Sequence, residues 1–208
     1  GNRIMGKIKL TKNELKKKRD ELKMYERYLP TLQLKKQQLQ VEVRSVQTRM
    51  EELQALKKTL EQDASPWMEV FAEQGAARTQ EGEPLLKVAF ISTDTGNIAG
   101  VAIPLFLGVE FEHKGYDLYS TSLWVDAALI LMERLVRTQL ELEVVSKQKD
   151  LLSQELRITT QRVNLFEKVK IPETIADIRK IRIYLGDQET AQVVRGKIAK
   201  RKVEGAER

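Results

Sequence analysis

The fold is decided by residues 15–60, which read LKKKRDELKMYERYLPTLQLKKQQLQVEVRSVQTRMEELQALKKTL. Apolar side chains recur there at alternating intervals of three and four residues, the seven-residue repeat of a coiled-coil helix. Eleven of its fourteen a and d positions are apolar, and the other three are lysines. The positions are Leu15, Lys18, Leu22, Tyr25, Leu29, Leu32, Lys36, Leu39, Val43, Val46, Met50, Leu53, Lys57 and Leu60. Such a stripe stays against a partner helix only if the two helices supercoil left-handedly, so the repeat predicts one long coiled-coil helix.

Pro30 lies inside this repeat. A proline removes one N–H donor and crowds the carbonyl four residues earlier, so we expect a bend at this point. The repeat keeps its frame across Pro30, and the helix is therefore expected to continue through it.

A second heptad repeat begins at Ala128 and predicts the partner helix. Nine of its twelve a and d positions are apolar. They are Ala128, Leu131, Leu135, Thr138, Leu142, Val145, Lys149, Leu152, Leu156, Thr159, Val163 and Phe166. Ile171 and Pro172 break this frame, and the stripe resumes in a shifted frame with Ile175, Ile178 and Leu185. The proline indicates a local bend there or two helices placed end to end.

The segment between the two repeats has a different composition. Residues 75–84 contain two glycines and a proline among polar residues, which is typical of a linker. Residues 86–93 and 97–103 are rich in Val, Ile and Phe and predict a β-hairpin that turns at Asp94, Thr95 and Gly96.

Two further features complete this middle segment. Pro104 is expected to end the second strand, and residues 105–121 to be irregular. The hairpin is apolar on both faces, and a two-stranded hairpin alone is marginally stable in water. We therefore interpret it as an element that docks a partner.

These patterns together predict a mainly α fold in three segments. Residues 1–74 form the first long helix, residues 75–121 a small head with the β-hairpin, and residues 122–208 the second long helix with a basic tail. The two helices pair most economically as an intramolecular, antiparallel, left-handed coiled coil. Residues 1–30 carry a net charge of +6, residues 168–208 of +5 and the stretch between them of −5. An antiparallel pair brings both basic segments to one end.

Composition excludes several kinds of site. The chain has no cysteine and one histidine, His113, which rules out thiolate metal sites and a histidine cluster. Phosphate-binding glycine motifs are absent from the sequence. No apolar run reaches the roughly 20 residues that a membrane-spanning helix needs. We therefore expect a soluble intracellular protein with no metal, no cofactor and no active site.

Four segments of the chain resemble a known family. The run Arg162, Val163, Asn164, followed by Ile171 and Pro172, is similar to the signature of the D subunit of V-type and A-type rotary ATPases. The run 97–104 resembles the second hairpin strand of that family. Residues 10–12 and 32–39 resemble its two N-terminal landmarks. The first four residues have no counterpart, which makes Met5 the expected first native residue.

The resemblance implies a non-catalytic central rotor shaft on the cytoplasmic side of a membrane. In the family, the end of the coiled coil that carries both termini lies in the cavity of a hexamer of nucleotide-binding A and B subunits. The head pairs with the small F subunit of the stalk and couples through a socket subunit to the membrane ring. The shaft transmits torque between ATP hydrolysis or synthesis and the transport of protons or sodium ions. The resemblance implies no binding of nucleic acid and no direct membrane insertion.

The resemblance also assigns interaction residues. The expected contacts with the hexamer cavity are Lys12, Lys16, Lys17, Arg19, Arg195, Lys197, Lys200 and Arg201. The expected contacts with the stalk partner are Val88, Phe90, Ile98, Val101 and Trp124.

Two other classes of protein fit parts of the sequence. A coiled-coil scaffold or homodimer would explain the heptads but not the cluster at 162–172. A basic nucleic-acid binder would explain the charged ends and predicts an affinity that falls steeply with salt. Aromatic residues do not alternate with the basic runs, which disfavours it. An enzyme is the weakest hypothesis, because no catalytic set of residues is present.

Overall fold

The protein is described here by a computed structural model of residues 8–74, 86–113 and 124–206, with side chains for residues 8–66, 86–113 and 125–204. Its elements are α1 (Lys12–Gln74), β1 (Leu86–Ile98), β2 (Val101–His113), α2 (Trp124–Leu165), a π-helical turn (Phe166–Lys170) and α3 (Ile171–Ala206). This confirms the mainly α fold class with long helices and an antiparallel hairpin. The predicted linker at 75–84 and residues 114–121 lie outside the described residues.

The chain divides into two compact units. A terminal unit comprises Gly1–Lys36 and Ile158–Arg208, and a central unit comprises Gln37–Arg157. The three-segment division predicted from the sequence follows the order of the elements instead, and it stays a prediction.

Helix α1 begins with a capping arrangement that the sequence encodes. The Glu14 backbone N–H donates to Thr11 Oγ1 at 3.2 Å, which satisfies one of the free donors of the first turn. The helix then runs without interruption through Pro30 to Gln74, as expected. All fourteen heptad positions of this helix are buried or half-buried. The heptad frame derived from the sequence is therefore confirmed for α1.

The central unit has a core of three elements. Helix α1 contributes Leu39, Val46 and Leu53, and α2 contributes Val145 and Leu152. The third element is the hairpin, whose Ile103 is 1% exposed. All five helix residues are d positions of the predicted repeats, so the sequence pattern located this core but did not place the hairpin on it.

The hairpin turn was predicted at the wrong place. Asp94 and Gly96 lie inside β1, paired with Leu105 and Ile103. The turn is formed by Ala99 (φ 50°) and Gly100 (φ 81°). Positive φ at both central residues matches the right-handed twist of the flanking strands, and this geometry favours two-residue hairpin turns. The Gly100 N–H also donates to Asn97 Oδ1 at 3.0 Å, which closes the turn.

Pro104 does not end the second strand, and residues 105–113 are not irregular. Strand β2 continues to His113, with Pro104 opposite Thr95. Each strand of a two-stranded sheet has one edge free of ladder bonds, so the missing proline N–H is tolerated there. The Pro104 carbonyl accepts a hydrogen bond from Gln148 Nε2 at 2.5 Å, which ties β2 to α2.

The hairpin lies along α2. Besides the contact at Gln148, His113 Nε2 is 2.8 Å from Glu133 Oε1. At the start of β1, Leu86 packs against Val125 and Leu129. The contacts therefore fix the strands of the hairpin to α2 at both ends, and one face of the hairpin is covered by the chain's own helices.

A π-helical turn explains the shift of the second heptad frame. Pro172 has no N–H and crowds the carbonyl four residues earlier. The N–H of Ile171 instead donates to the Phe166 carbonyl, five residues back, so the turn is wider than an α-turn. One additional residue in the turn moves the buried stripe by one heptad position.

The residues buried beyond this turn differ in part from those expected. Ile178 is buried as predicted, together with Thr174 and Ile181. Ile175, which the sequence pattern assigns to the resumed stripe, is 49% exposed, so that assignment is wrong. The predicted frame was already shifted and placed Ile178 correctly, but the polar Thr174 holds the seam position next to Ile175. The Thr174 hydroxyl donates to the Lys170 carbonyl at 2.7 Å, which satisfies it in this buried position.

Among the described residues, none of the helices combines the length and the hydropathy that crossing a bilayer demands.

Candidate interaction surfaces

The eight basic residues expected to contact the hexamer all lie in the terminal unit and are all exposed. Two of them have acidic neighbours: Lys12 Nζ is 3.7 Å from Glu189 Oε1, and Lys200 Nζ is 3.8 Å from Glu204 Oε1. The other six form no ion pair within the described part of the chain. They are Lys16, Lys17, Arg19, Arg195, Lys197 and Arg201.

The start of α1 and the middle of α3 run side by side in opposite directions. Residues later in α1 contact residues earlier in α3 and the π-turn. Lys12 contacts Glu189, and Lys18 contacts Asp177. Further along α1, the Tyr25 ring lies 5.2 Å from that of Phe166. Residues 190–206 of α3 continue past the contact with Lys12. Within this unit the predicted antiparallel order is therefore observed.

Lys18 occupies a d position between these two helices. Its Nζ is 3.1 Å from Glu21 Oε2 and 3.4 Å from Asp177 Oδ2. Burial by itself would lower the pKa of Lys18, but hydrogen bonds and charge from Glu21 and Asp177 outweigh it and raise that pKa above its ordinary value. The ammonium group thus stays charged in the seam and links α1 to α3.

Two grooves on the terminal unit separate the predicted basic residues. Lys16 and Lys17 line a groove of about 540 Å³ together with the carboxylates of Asp20 and Glu21. Positive and negative charges balance there. Arg19 lines a different groove.

The second groove, which we call the basic groove, has a volume of about 830 Å³ between α1 and α3. Its charged residues are Arg19, Lys23, Glu26, Arg179 and Arg182. Its apolar residues are Leu22, Ile175, Ile178 and Ile183. Of this set, sequence analysis named only Arg19 as a contact residue. Arg19 and Lys23 are four residues apart, and Arg179 and Arg182 are three apart. Residues at these spacings share a helix face, so the spacing could have indicated the groove.

The hairpin residues assigned to the stalk partner fall into two groups. Val88 and Phe90 are exposed, and Phe90 is 59% accessible. Ile98 and Val101 are half-buried and pack against the core of the central unit. The side chain of Trp124 lies outside the described residues.

The structure adds Ile91 and Leu107 to the exposed apolar side chains of this hairpin, with Leu107 at 66% exposure. Leu107 is the unpaired residue at an irregularity of the ladder between Ser92 and Thr93. Leu107 was not among the predicted contact residues, because irregular structure was predicted for residues 105–121. The alternation of apolar residues along β2 is the signal that could have found it.

One further link between helices lies in the central unit. Arg49 Nη2 is 2.6 Å from Glu141 Oε1, and Nη1 is 3.3 Å from Glu52 Oε2. The hydrogen bond with Glu141 raises the pKa of Arg49, so the guanidinium of this pair stays charged in alkaline solution. The pair joins α1 and α2 beside the apolar core.

Metal-ligating side chains do not cluster in the part of the chain that the structure describes: no group of three or more His, Cys, Asp or Glu could hold an ion. The exposed charged and apolar surfaces just described are suited to contacts with other macromolecules.

Comparisons with known proteins agree on one family. A family model described as that of the ATP synthase D subunit matches residues 14–201. A protein of Borreliella burgdorferi, named as the D subunit of a V-type ATP synthase, is 49% identical over 196 residues, covering 94% of this chain and 95% of that protein. A protein of the same name from Chlamydia muridarum is 35% identical, covering 97% of this chain and 98% of that protein.

Proposed function

The chain belongs to the family of ATP synthase D subunits, and from that premise we propose that it is the non-catalytic central rotor shaft of a V-type ATP synthase. In this role it transmits torque between nucleotide chemistry in a hexamer of A and B subunits and ion transport in a membrane ring. It has no active site of its own and works as a peripheral subunit on the cytoplasmic side of the membrane. The observation that carries the proposal is the match over nearly the whole chain.

The helices have the properties that torque transmission needs. Helix α1 is continuous over 63 residues, and a helix rises about 1.5 Å per residue. A shaft must resist twisting, and side chains that join neighbouring helices supply that resistance. Arg49–Glu141 in the central unit and Lys18–Asp177 in the terminal unit are links of this kind.

The placement of the basic residues and of the hairpin residues supports the proposed partners. We assign the eight basic residues of the terminal unit that were expected to contact the hexamer to its cavity. We assign the exposed face of the hairpin, with Val88 and Phe90, to the F subunit of the stalk or the socket subunit that couples to the membrane ring. Ile98 and Val101 support the hairpin from within, since they pack against the helix core.

Rotation can be tested directly, because the chain contains no cysteine. A Leu107→Cys variant has one exposed thiol on β2 for attachment of a bead or gold particle. The A and B subunits of the same organism are assembled with this variant, immobilised and given ATP. We expect continuous rotation in one direction, which stops when ATP is removed.

Native mass spectrometry of the same mixture separates the alternatives. One copy of the chain bound to each hexamer supports the shaft. A homodimer that does not bind the hexamer would support the coiled-coil scaffold instead. RNA that copurifies and is released by salt would support the nucleic-acid binder.

A further inference from the structure

The basic groove of the terminal unit combines positive charge with accessible apolar surface. Four cations, Arg19, Lys23, Arg179 and Arg182, surround it and a single carboxylate, Glu26, lies among them. Between the cations, Ile175 and Ile183 are 49% and 57% exposed. Exposed isoleucines within a ring of cations suit a partner that carries both negative charge and apolar side chains.

The cations of this groove have no partners within the described residues. None of the four side chains forms an ion pair or a side-chain hydrogen bond there, whereas Lys12, Lys18 and Arg49 each contact a carboxylate. The neighbouring groove has equal numbers of cations and carboxylates, whereas the basic groove has four cations and one carboxylate. The basic groove is thus distinguished by charge that the chain itself does not compensate.

We propose that the basic groove binds an acidic segment of the nucleotide-binding subunits, one that directs carboxylates to its rim and an apolar side chain to Ile175 and Ile183. This inference rests on the proposed function, since it names the chemistry of the hexamer surface that the shaft contacts. Arginine favours such a contact because its planar group can donate two parallel hydrogen bonds to one carboxylate. Arg179 and Arg182 lie three residues apart, on one face of α3.

The apolar floor favours a protein segment over nucleic acid. Phosphate groups would use the cations and leave both isoleucines exposed, because nonspecific binding of a nucleic-acid backbone depends almost entirely on charge. Single-stranded nucleic acid is bound through aromatic side chains on which bases stack, and the groove has none. An acidic amphipathic segment satisfies both parts of the surface.

Rotation places a limit on the strength of this contact. A shaft within a hexamer passes several copies of the same segment in turn, so each contact must form and release. Exposed charges meet that requirement, since they act over about 10 Å at moderate salt and accelerate encounter without slowing release greatly.

The test uses the full chain and purified A and B hexamer, with binding measured by biolayer interferometry at about 50 mM and 500 mM salt. The groove variant is Arg179→Glu with Arg182→Glu. The control is Lys180→Glu with Lys202→Glu, which makes the same change in charge on the same helix at exposed residues that lie outside the groove and are not among the eight residues assigned to the hexamer. At low salt we expect the groove variant to bind about tenfold or more weakly and the control to stay within about threefold of the unmodified chain.

Two more variants test each part of the surface. Glu26→Lys removes the one carboxylate and should tighten binding about twofold to threefold at low salt. Ile183→Ser should weaken binding about threefold to tenfold at both salt concentrations, because the apolar contact is not screened. Every side chain replaced in these variants is exposed, so circular dichroism should show the same helix content in all of them.

The outcomes separate the two proposals. Equal binding by the groove variant and the control would overturn the basic groove as a docking site and leave the rotor shaft intact. Failure of the unmodified chain to bind the hexamer would overturn the rotor shaft, and the groove inference with it. If the groove variant loses binding to a single-stranded RNA oligonucleotide but keeps its affinity for the hexamer, the groove binds nucleic acid and the inference is wrong.

Discussion

Helix α1 carries the same heptad repeat in the central unit and in the terminal unit, but the repeat is buried more deeply in the central unit. In the central unit Leu39 and Leu152 are fully buried, and the hairpin residue Ile103 completes their cluster. In the terminal unit every a and d position of α1 from Leu15 to Lys36 is only half-buried. Its seam includes the charged contact between Lys18 and Asp177.

The difference teaches what a third element adds to a helix pair. In the terminal unit the a and d side chains of α1 keep part of their surface in water, although Ile181 of α3 is fully buried. A hairpin laid over the seam excludes water, and apolar residues then suffice. Where no such cover exists, the seam admits ionic contacts and the flanks keep grooves such as the basic groove, which suits contact with partners.

The largest expected effect tests whether the two units tolerate a change of frame differently. Deletion of Asp150 should rotate Leu152 and the following turns by about 100° relative to the seam, since a helix has 3.6 residues per turn. Removal of Leu152 and the following turns from the core should lower the free energy of unfolding by about 4 kcal/mol or more. Urea unfolding followed by circular dichroism measures the change.

The matched deletion lies in the π-turn of the terminal unit. Removal of Lys168, combined with Pro172→Ala, turns the wide turn into an ordinary α-turn and leaves Thr174, Ile178 and Ile181 on the seam. This variant should stay within about 1 kcal/mol of the unmodified chain. A loss as large as that of the Asp150 deletion would mean that the π-turn does not compensate for the shifted frame.

The next effect compares two leucines of the same helix. Leu152 is fully buried in the central unit, and Leu165 is 43% exposed in the terminal unit. Leu152→Ala should lower the free energy of unfolding by about 3 kcal/mol, through lost burial and the cavity left behind. Leu165→Ala should lower it by less than about 1 kcal/mol. Similar losses for both variants would show that burial in the central unit contributes no additional stability.

Sequence periodicity could predict the helices and the central core, because one stripe of apolar residues decides which face of a helix is buried. It could not predict the hairpin turn, where a side-chain contact of Asn97 and a positive φ at Ala99 decide the geometry. Nor could it place Ile175, because the adjacent seam position is held by the polar Thr174, whose hydroxyl is satisfied by the Lys170 carbonyl.

The contact surfaces were predictable only in part, for a related reason. Charge runs located basic residues along the chain, but the register of α1 against α3 decides which of them share a groove. Arg19 and Arg179 line the same groove, while Lys16 and Lys17 line another one. Pairing of this kind depends on the register between two helices, which the pattern of either helix alone does not give.

The smallest effect concerns pH and the polar seam of the terminal unit. The pKa of Lys18 is raised above 10.5 in the folded chain, so its stabilising contribution is fully present below that pH and is lost as the pH rises through the folded pKa. Replacement by methionine should therefore cost about 1 kcal/mol near pH 8 and less near pH 12. The guanidinium of Arg49 in the central unit stays charged over this range, so its pair with Glu141 should not respond.

The measurement is urea unfolding of the unmodified chain and of Lys18→Met at both pH values, with Lys180→Met as the exposed control. A Lys18→Met penalty that persists unchanged at the alkaline pH would mean that the side chain contributes through packing of its methylene stem and that the seam gains nothing from the charge.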